Sequence, residues 1–174
     1  MRTTLITSTQ HPRLRLGEIA RAARRHLSAT GAAVTTVETD ALPHSALLAG
    51  TRHPAVRRAE AAVAGAEALV IVTPRYEPSG SDPLRTLLAD LPARALRGKP
   101  VLPVGLGAHR AHAAGLTRIA GPPGRALPGC FLHDTWLEKR LGRWQLTADA
   151  DDRLAEALAA LRAGSSAEPQ RLAS

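Results

Sequence analysis

Short apolar runs alternate with stretches of helical period along most of the chain. Thr3 to Thr7 is β-branched and apolar and runs into Ser8, Thr9 and Gln10, the pattern of a strand entering a polar loop. Leu16, Ile19, Ala20, Ala23 and Leu27 then recur on one face of a predicted helix that Gly31 stops. Val34 to Glu38 reads as a second strand, Asp40 to Thr51 as a long loop, and Pro54 to Ala64 as a helix that opens on proline and closes at Gly65. Ala68 to Val72 is apolar without interruption, as a strand covered on both faces must be. A helix over Leu84 to Leu91, a strand over Val101 to Leu106 and a strand over Cys130 to His133 follow, with a Gly/Pro-rich stretch from Gly107 to Gly129 that holds at most one helical turn near His112 to Ile119. Leu154, Leu158 and Leu161 stripe a last helix capped by Thr147 or Asp149. From Gly164 the Ser/Ala/Pro/Gln composition predicts a disordered tail, which leaves one domain over residues 1–163.

Strands alternating with helices call for an α/β fold with a parallel sheet, and right-handed crossovers make it doubly wound, helices on both faces. For five strands the expected order is 2-1-3-4-5, with ligands held beyond the carboxyl ends of the strands at the switch point. Three loops line that crevice: Ser8 to Arg15, Thr73 to Asp82, and Leu106 to His112.

Composition narrows the partners. No apolar run approaches the roughly 18 to 20 residues that cross a bilayer, and MRTTLITS suits a first strand better than a signal peptide, so no membrane partner is expected. Cys130 is the single cysteine; it excludes an internal disulfide and a cysteine-rich metal site, and a reducing, cytoplasmic setting is the simplest reading. Its expected role is that of a small buried hydrophobe rather than a nucleophile. His109 and His112 share a face but lack carboxylate or cysteine partners, so no metal is expected. The charge of +8 comes from 23 Lys and Arg against 15 Asp and Glu, with Lys99 and Lys139 the only lysines. Arginines scattered along an Ala-rich chain fit coding bias better than a nucleic-acid surface, which interleaves stacking aromatics; here Tyr76, Phe131, Trp136 and Trp144 are all there are. The two tryptophans suit either a partner surface or a cover over the sheet edge.

The stretch from Val72 to His112, VTPRYEPSGSDPLRTLLADLPARALRGKPVLPVGLGAHRAH, carries Thr73-Pro74 and Tyr76, then Ser81, Leu84, Thr86, Leu87 and Leu88, then Leu96, Gly98, Lys99 and Val101, then Gly107 and His112. This spacing resembles the NADPH-dependent FMN reductases of the alkanesulfonate-utilisation type, a flavodoxin-like family, and the likeness extends more weakly to Phe131 and Asp134. The resemblance implies an NAD(P)H:FMN oxidoreductase with FMN and NADPH as cofactors, a partner monooxygenase that receives the reduced flavin, and a homodimer. It also implies that Pro74, Arg75, Tyr76 and Glu77 flank the flavin ring, with Ser81 and His112 at its site, and that Gly107 and Ala108 let the fourth-strand loop approach it. The loop after the first strand, with Thr9, Arg13 and Arg15, takes the FMN phosphate at a helix N-terminus. No side chain is expected to be catalytic, because hydride passes between the cofactors.

The phosphate loop departs from the family. Leu14 and Leu16 stand where the family has serines, and each lost hydrogen bond to a charged group is worth about 1.5–3 kcal/mol. Arg13 and Arg15 either contact the phosphate directly or are solvated arginines. That erosion motivates an alternative reading, a flavodoxin-like protein with an altered flavin site acting as a non-catalytic binding or structural partner.

Overall fold

The central strand decides the architecture. In the computed structural model, which describes residues 1–8, 11, 13–48, 53–74, 83–108, 116 and 124–166, every residue of the strand Ala68–Thr73 is buried. Five earlier strands and helices lead to it: β1 (Arg2–Thr7), α1 (Arg15–Ala29), β2 (Ala33–Glu38), α2 (His44–Leu48) and α3 (Pro54–Gly65). The central strand is therefore β3. After it come α4 (Pro83–Asp90), α5 (Ala93–Leu96), β4 (Pro100–Gly107), β5 (Arg125–Ala126), β6 (Cys130–His133), an antiparallel pair β7 (Leu137–Arg140) and β8 (Arg143–Leu146), and α6 (Ala148–Ser166).

The sheet is parallel, in the order β2-β1-β3-β4-β5, with β6 also paired to β4. The flavodoxin-like, doubly wound order expected from the alternating pattern is thus observed. Its outer strand comes in two pieces: β5 pairs with Pro100 and Val101, and β6 pairs with Val104 to Gly107. The anticipated fifth strand is the second piece; Leu127, Pro128 and Gly129 separate it from the first.

Alternation along the strands sorts side chains onto two faces. Ile6, Leu69, Ile71 and Val101 pack with Leu47, Val56, Val63, Leu84 and Leu87, so α2 to α5 cover one face. Leu5, Val70, Val72, Leu102 and Val104 pack with Ile19, Ala23, Leu154, Leu158 and Leu161, so α1 and α6 cover the other. The segment expected to be a long loop after β2 instead forms a 3-10 turn, Thr39–Ala41, and then α2. Ala46 and Leu47 are buried there, because the sheet face near Val37 needs a cover that a polar loop cannot supply. The last helix also runs through Gly164, the expected start of the tail; Arg125 Nη2 donates to the Gly164 carbonyl at 2.6 Å.

Caps explain several boundaries. Pro54 opens α3 as expected, and the His53 ring accepts from the Ala55 N–H at 3.2 Å. At the other end Lys99 Nζ donates to the carbonyls of Val63 at 2.9 Å and Ala64 at 2.6 Å, so a lysine of the family motif serves as a helix stop. Thr147 is the cap of α6, its Oγ1 accepting from the Ala150 N–H at 3.4 Å. α1 is tied to α6 through His26 Nε2 and Asp151 Oδ1 at 3.0 Å, and through Arg25, which reaches both Asp151 and the buried Glu18.

Within the Gly/Pro-rich stretch the described Leu116 is 2% exposed and packs against two glycines. A Cβ on Gly129 would lie 2.9 Å from Leu116 Cβ and 3.1 Å from its Cδ1, too close to a part of that side chain that cannot swing away. Overpacking of this kind costs about 1–3 kcal/mol. Gly129→Ala is therefore expected to lower the thermal midpoint by several degrees, which a calorimetric scan checks.

Candidate functional site

Four strands end together at the carboxyl edge of the sheet. Thr7 is in register with Val72, Thr73 with Gly105, and Gly107 with His133. The chain therefore leaves β1, β3, β4 and β6 side by side, the arrangement that makes a crevice at the switch point of a doubly wound sheet. Pro74, Gly107 and Ala108, all expected at the site, lie on these exits. Thr9, Arg75, Tyr76, Glu77, Ser81 and His112 are outside the described residues.

The β1 exit leads straight into α1. Leu14 is the residue before that helix and makes no side-chain cap bond. The first helical bond is Glu18 N–H to the Leu14 carbonyl at 3.2 Å, which leaves the amides of Arg15, Leu16 and Gly17 without a helical acceptor. An aliphatic residue where a serine would cap thus leaves this helix start open to an anion.

Arg15 stands at that opening. Its guanidinium carbon lies 4.3 Å from the centroid of the Trp144 ring, and Nη1 lies 3.8 Å from Asp134 Oδ1. Its Nε is buried and has no hydrogen-bond partner among the described residues. The tryptophan face and the Asp134 carboxylate hold the guanidinium, with its Nε buried beneath them. Arg13 is exposed and points elsewhere, lining a pocket of about 620 Å³ with Lys139, Leu141, Gly142 and Arg143 of the β7–β8 hairpin. Trp144 and Trp136 are half-buried and pack against the core on the α1 and α6 side, Trp136 lying 5.8 Å from the Arg153 guanidinium.

His133 was not anticipated. Its Nε2 is 2.6 Å from the Ala108 carbonyl, and its Nδ1 accepts from the Thr135 N–H at 3.2 Å. A carbonyl only accepts, so Nε2 carries the proton and the neutral ring satisfies both bonds. One side chain from β6 thus pins the peptide that leaves β4. A signal existed in the sequence, a histidine closing an apolar strand two residues before a threonine, but it is too common to single out.

Cys130 is buried, and desolvation pushes its thiol up to about 11. Among the described residues no group of His, Cys, Asp and Glu is arranged to hold a metal ion.

The family model described as NADPH-dependent FMN reductase matches residues 1–122. The chain belongs to this family. Relatives include the FMN reductase (NADPH) of Pseudomonas putida, 39% identical over 101 residues, 58% of this chain and 51% of that protein. The FMN reductase (NADPH) of Escherichia coli is 34% identical over 122 residues, 67% of this chain and 64% of that protein. These matches span between half and two thirds of the relatives' length. Among solved structures, an apo NADH:FMN oxidoreductase superposes with a TM-score of 0.77 at 23% identity, covering 97% of this chain and 91% of that one. A flavodoxin of Pseudomonas aeruginosa superposes with a TM-score of 0.57 at 22% identity over 93% of this chain and 99% of that one. Both share the fold of this member of the FMN reductase family. No described helix is long and apolar enough to cross a membrane.

A thiol titrating near 11 is almost wholly protonated at neutral pH, and the thiolate is the reactive form. Cys130 is expected to resist alkylation by iodoacetamide at pH 8 in the native protein and to react fully once the chain is unfolded. Mass spectrometry of the two samples checks this.

Proposed function

We propose that this family member is an NAD(P)H-dependent FMN reductase, with NADPH as the donor, that passes reduced flavin to a partner monooxygenase. The observation that carries the reading is the uncapped start of α1 at the switch point, with the Arg15 guanidinium held at it by Trp144 and Asp134. That donor set fits a phosphate monoester, and the neighbouring exits of β3 and β4 supply small or rigid residues, Pro74, Gly107 and Ala108, where a planar ring needs close backbone approach.

Bound FMN supplies the hydride acceptor. The chain's own part is to hold and orient. The amides of Arg15, Leu16 and Gly17 take the phosphate oxygens, with Thr9 adding a hydroxyl and Arg15 adding charge, while Arg13, turned toward the hairpin, stays off the phosphate. Asp134 and Trp144 hold the Arg15 guanidinium in place. His133 fixes the Ala108 peptide against the ring, while Arg75, Tyr76, Glu77, Ser81 and His112 complete the pocket around it. In this reading the enzyme works in the cytoplasm as a homodimer.

The other reading, a flavodoxin-like partner without turnover, draws on Leu14 standing at the cap of α1 with no side-chain bond. A titration of the purified protein with FMN, followed by NADPH oxidation in the same cuvette, decides between them. Saturable binding with turnover is expected; a protein that neither binds FMN nor consumes NADPH would sink the reductase reading. A hydrogen bond of ordinary strength is worth about 0.5–1.5 kcal/mol. His133→Ala is accordingly expected to raise the FMN Kd by about fivefold, and His133→Gln, which still donates to the Ala108 carbonyl, by less.

A further inference from the structure

The β7–β8 hairpin projects from the carboxyl edge of the sheet, following β6, and packs along α1. Its turn is unusual in chemistry. Leu141 has φ 49° and Gly142 has φ 76°, the left-handed pair of a type I′ turn. Asn or Asp followed by Gly is the preferred sequence for that turn, because a branched side chain at positive φ is strained. Leu141 is nevertheless fully exposed, so packing does not repay the strain. A strained apolar residue held in water points to a surface kept for a ligand.

The charges around it point to the kind of ligand. Arg140 is neutralised by Glu138, which accepts from its Nε at 3.2 Å and its Nη2 at 2.8 Å. Lys139, Arg143 and Arg13 have no carboxylate partner among the described residues, and these three line the pocket of about 620 Å³ together with Leu141 and Gly142. Three uncompensated cations around an apolar side chain and a bare glycine peptide suit a ligand with a dianion at one end and a flat apolar ring beside it. None of Arg15, Leu16 and Gly17, whose amides take the flavin's single phosphate in the reading above, lines this pocket.

We infer that this pocket receives the adenosine end of the nicotinamide cofactor, with Lys139 and Arg143 on its 2′-phosphate, Arg13 at the border and Leu141 under the adenine. The inference rests on the reductase reading for the identity of the dinucleotide. It also deepens that reading, since the 2′-phosphate is all that distinguishes NADPH from NADH. Arginine or lysine at a 2′-phosphate acts through charge-assisted hydrogen bonds.

Calorimetric titration of the flavin-free protein with NADP⁺ and with NAD⁺ tests it. NADP⁺ is expected to bind about tenfold more tightly, the scale of one charge-assisted bond. Lys139→Ala and Arg143→Ala should erase that difference and raise the KM for NADPH about tenfold without a matching rise for NADH. Leu141→Asn supplies a turn residue that tolerates positive φ, so it should raise the thermal midpoint while weakening NADP⁺ and NAD⁺ alike. Equal affinity of the wild-type protein for the two dinucleotides would overturn the assignment. So would a Lys139→Ala protein that loses FMN affinity as steeply as NADP⁺ affinity, because the pocket would then serve the flavin phosphate. Failure to reduce FMN would end the reductase reading alone, since the preference for NADP⁺ over NAD⁺ is read without flavin or turnover.

Discussion

The burial of β3 on both faces is the constraint from which the rest follows. Ala68 to Thr73 lies between β1 and β4, and its side chains alternate between two cores. A strand with no solvent face needs a helical layer above and below, and the only way to supply both from one chain is to wind the crossovers in two directions from the middle. That reversal places the exits of β1 and β3 next to each other without a connection between them. The crevice for a ligand is thus a by-product of covering both sides of one apolar strand.

The same strand explains why the architecture was legible. ALVIV has no polar position, and its flanks, Gly65 before and Pro74 after, mark where it stops. The helices of α1 and α6 could be read from their leucine stripes for the same reason, since burial of one face leaves a period in the sequence. Weakly patterned segments were less legible. β5 is two residues long and joins the sheet through backbone bonds to Lys99 and Val101, which ask nothing of its side chains. In α2 the covering pair Ala46–Leu47 is too short to establish a helical period. The hairpin strands LEKR and RWQL are largely exposed, and an unfavourable Leu-Gly turn hides the usual hairpin signal.

The site shows a similar division. Pro74, Gly107 and Ala108 fall on the strand exits because a family pattern locates loops by their flanking strands. Arg15 was recognised as a charge near the helix start, but its placement depends on Trp144, nearly 130 positions away in the chain and brought close by the hairpin. His133 and the Ala108 carbonyl are likewise partners only because β4 and β6 are in register. Contacts between residues distant in sequence leave no local period, so they become visible only in three dimensions.

The broken outer strand has a consequence for how copies of the molecule meet. An intact parallel edge presents a row of free amides and carbonyls on which another chain can lay a strand. Here that row is interrupted between β5 and β6 by Leu127-Pro128-Gly129, and Pro128 has no amide to donate. Neither piece is long enough to template a neighbour: β5 has two residues and β6 has four. Growth of the sheet across this border is therefore blocked by the chain's own interruption. Among the described residues this border offers side chains rather than a continuous backbone ladder.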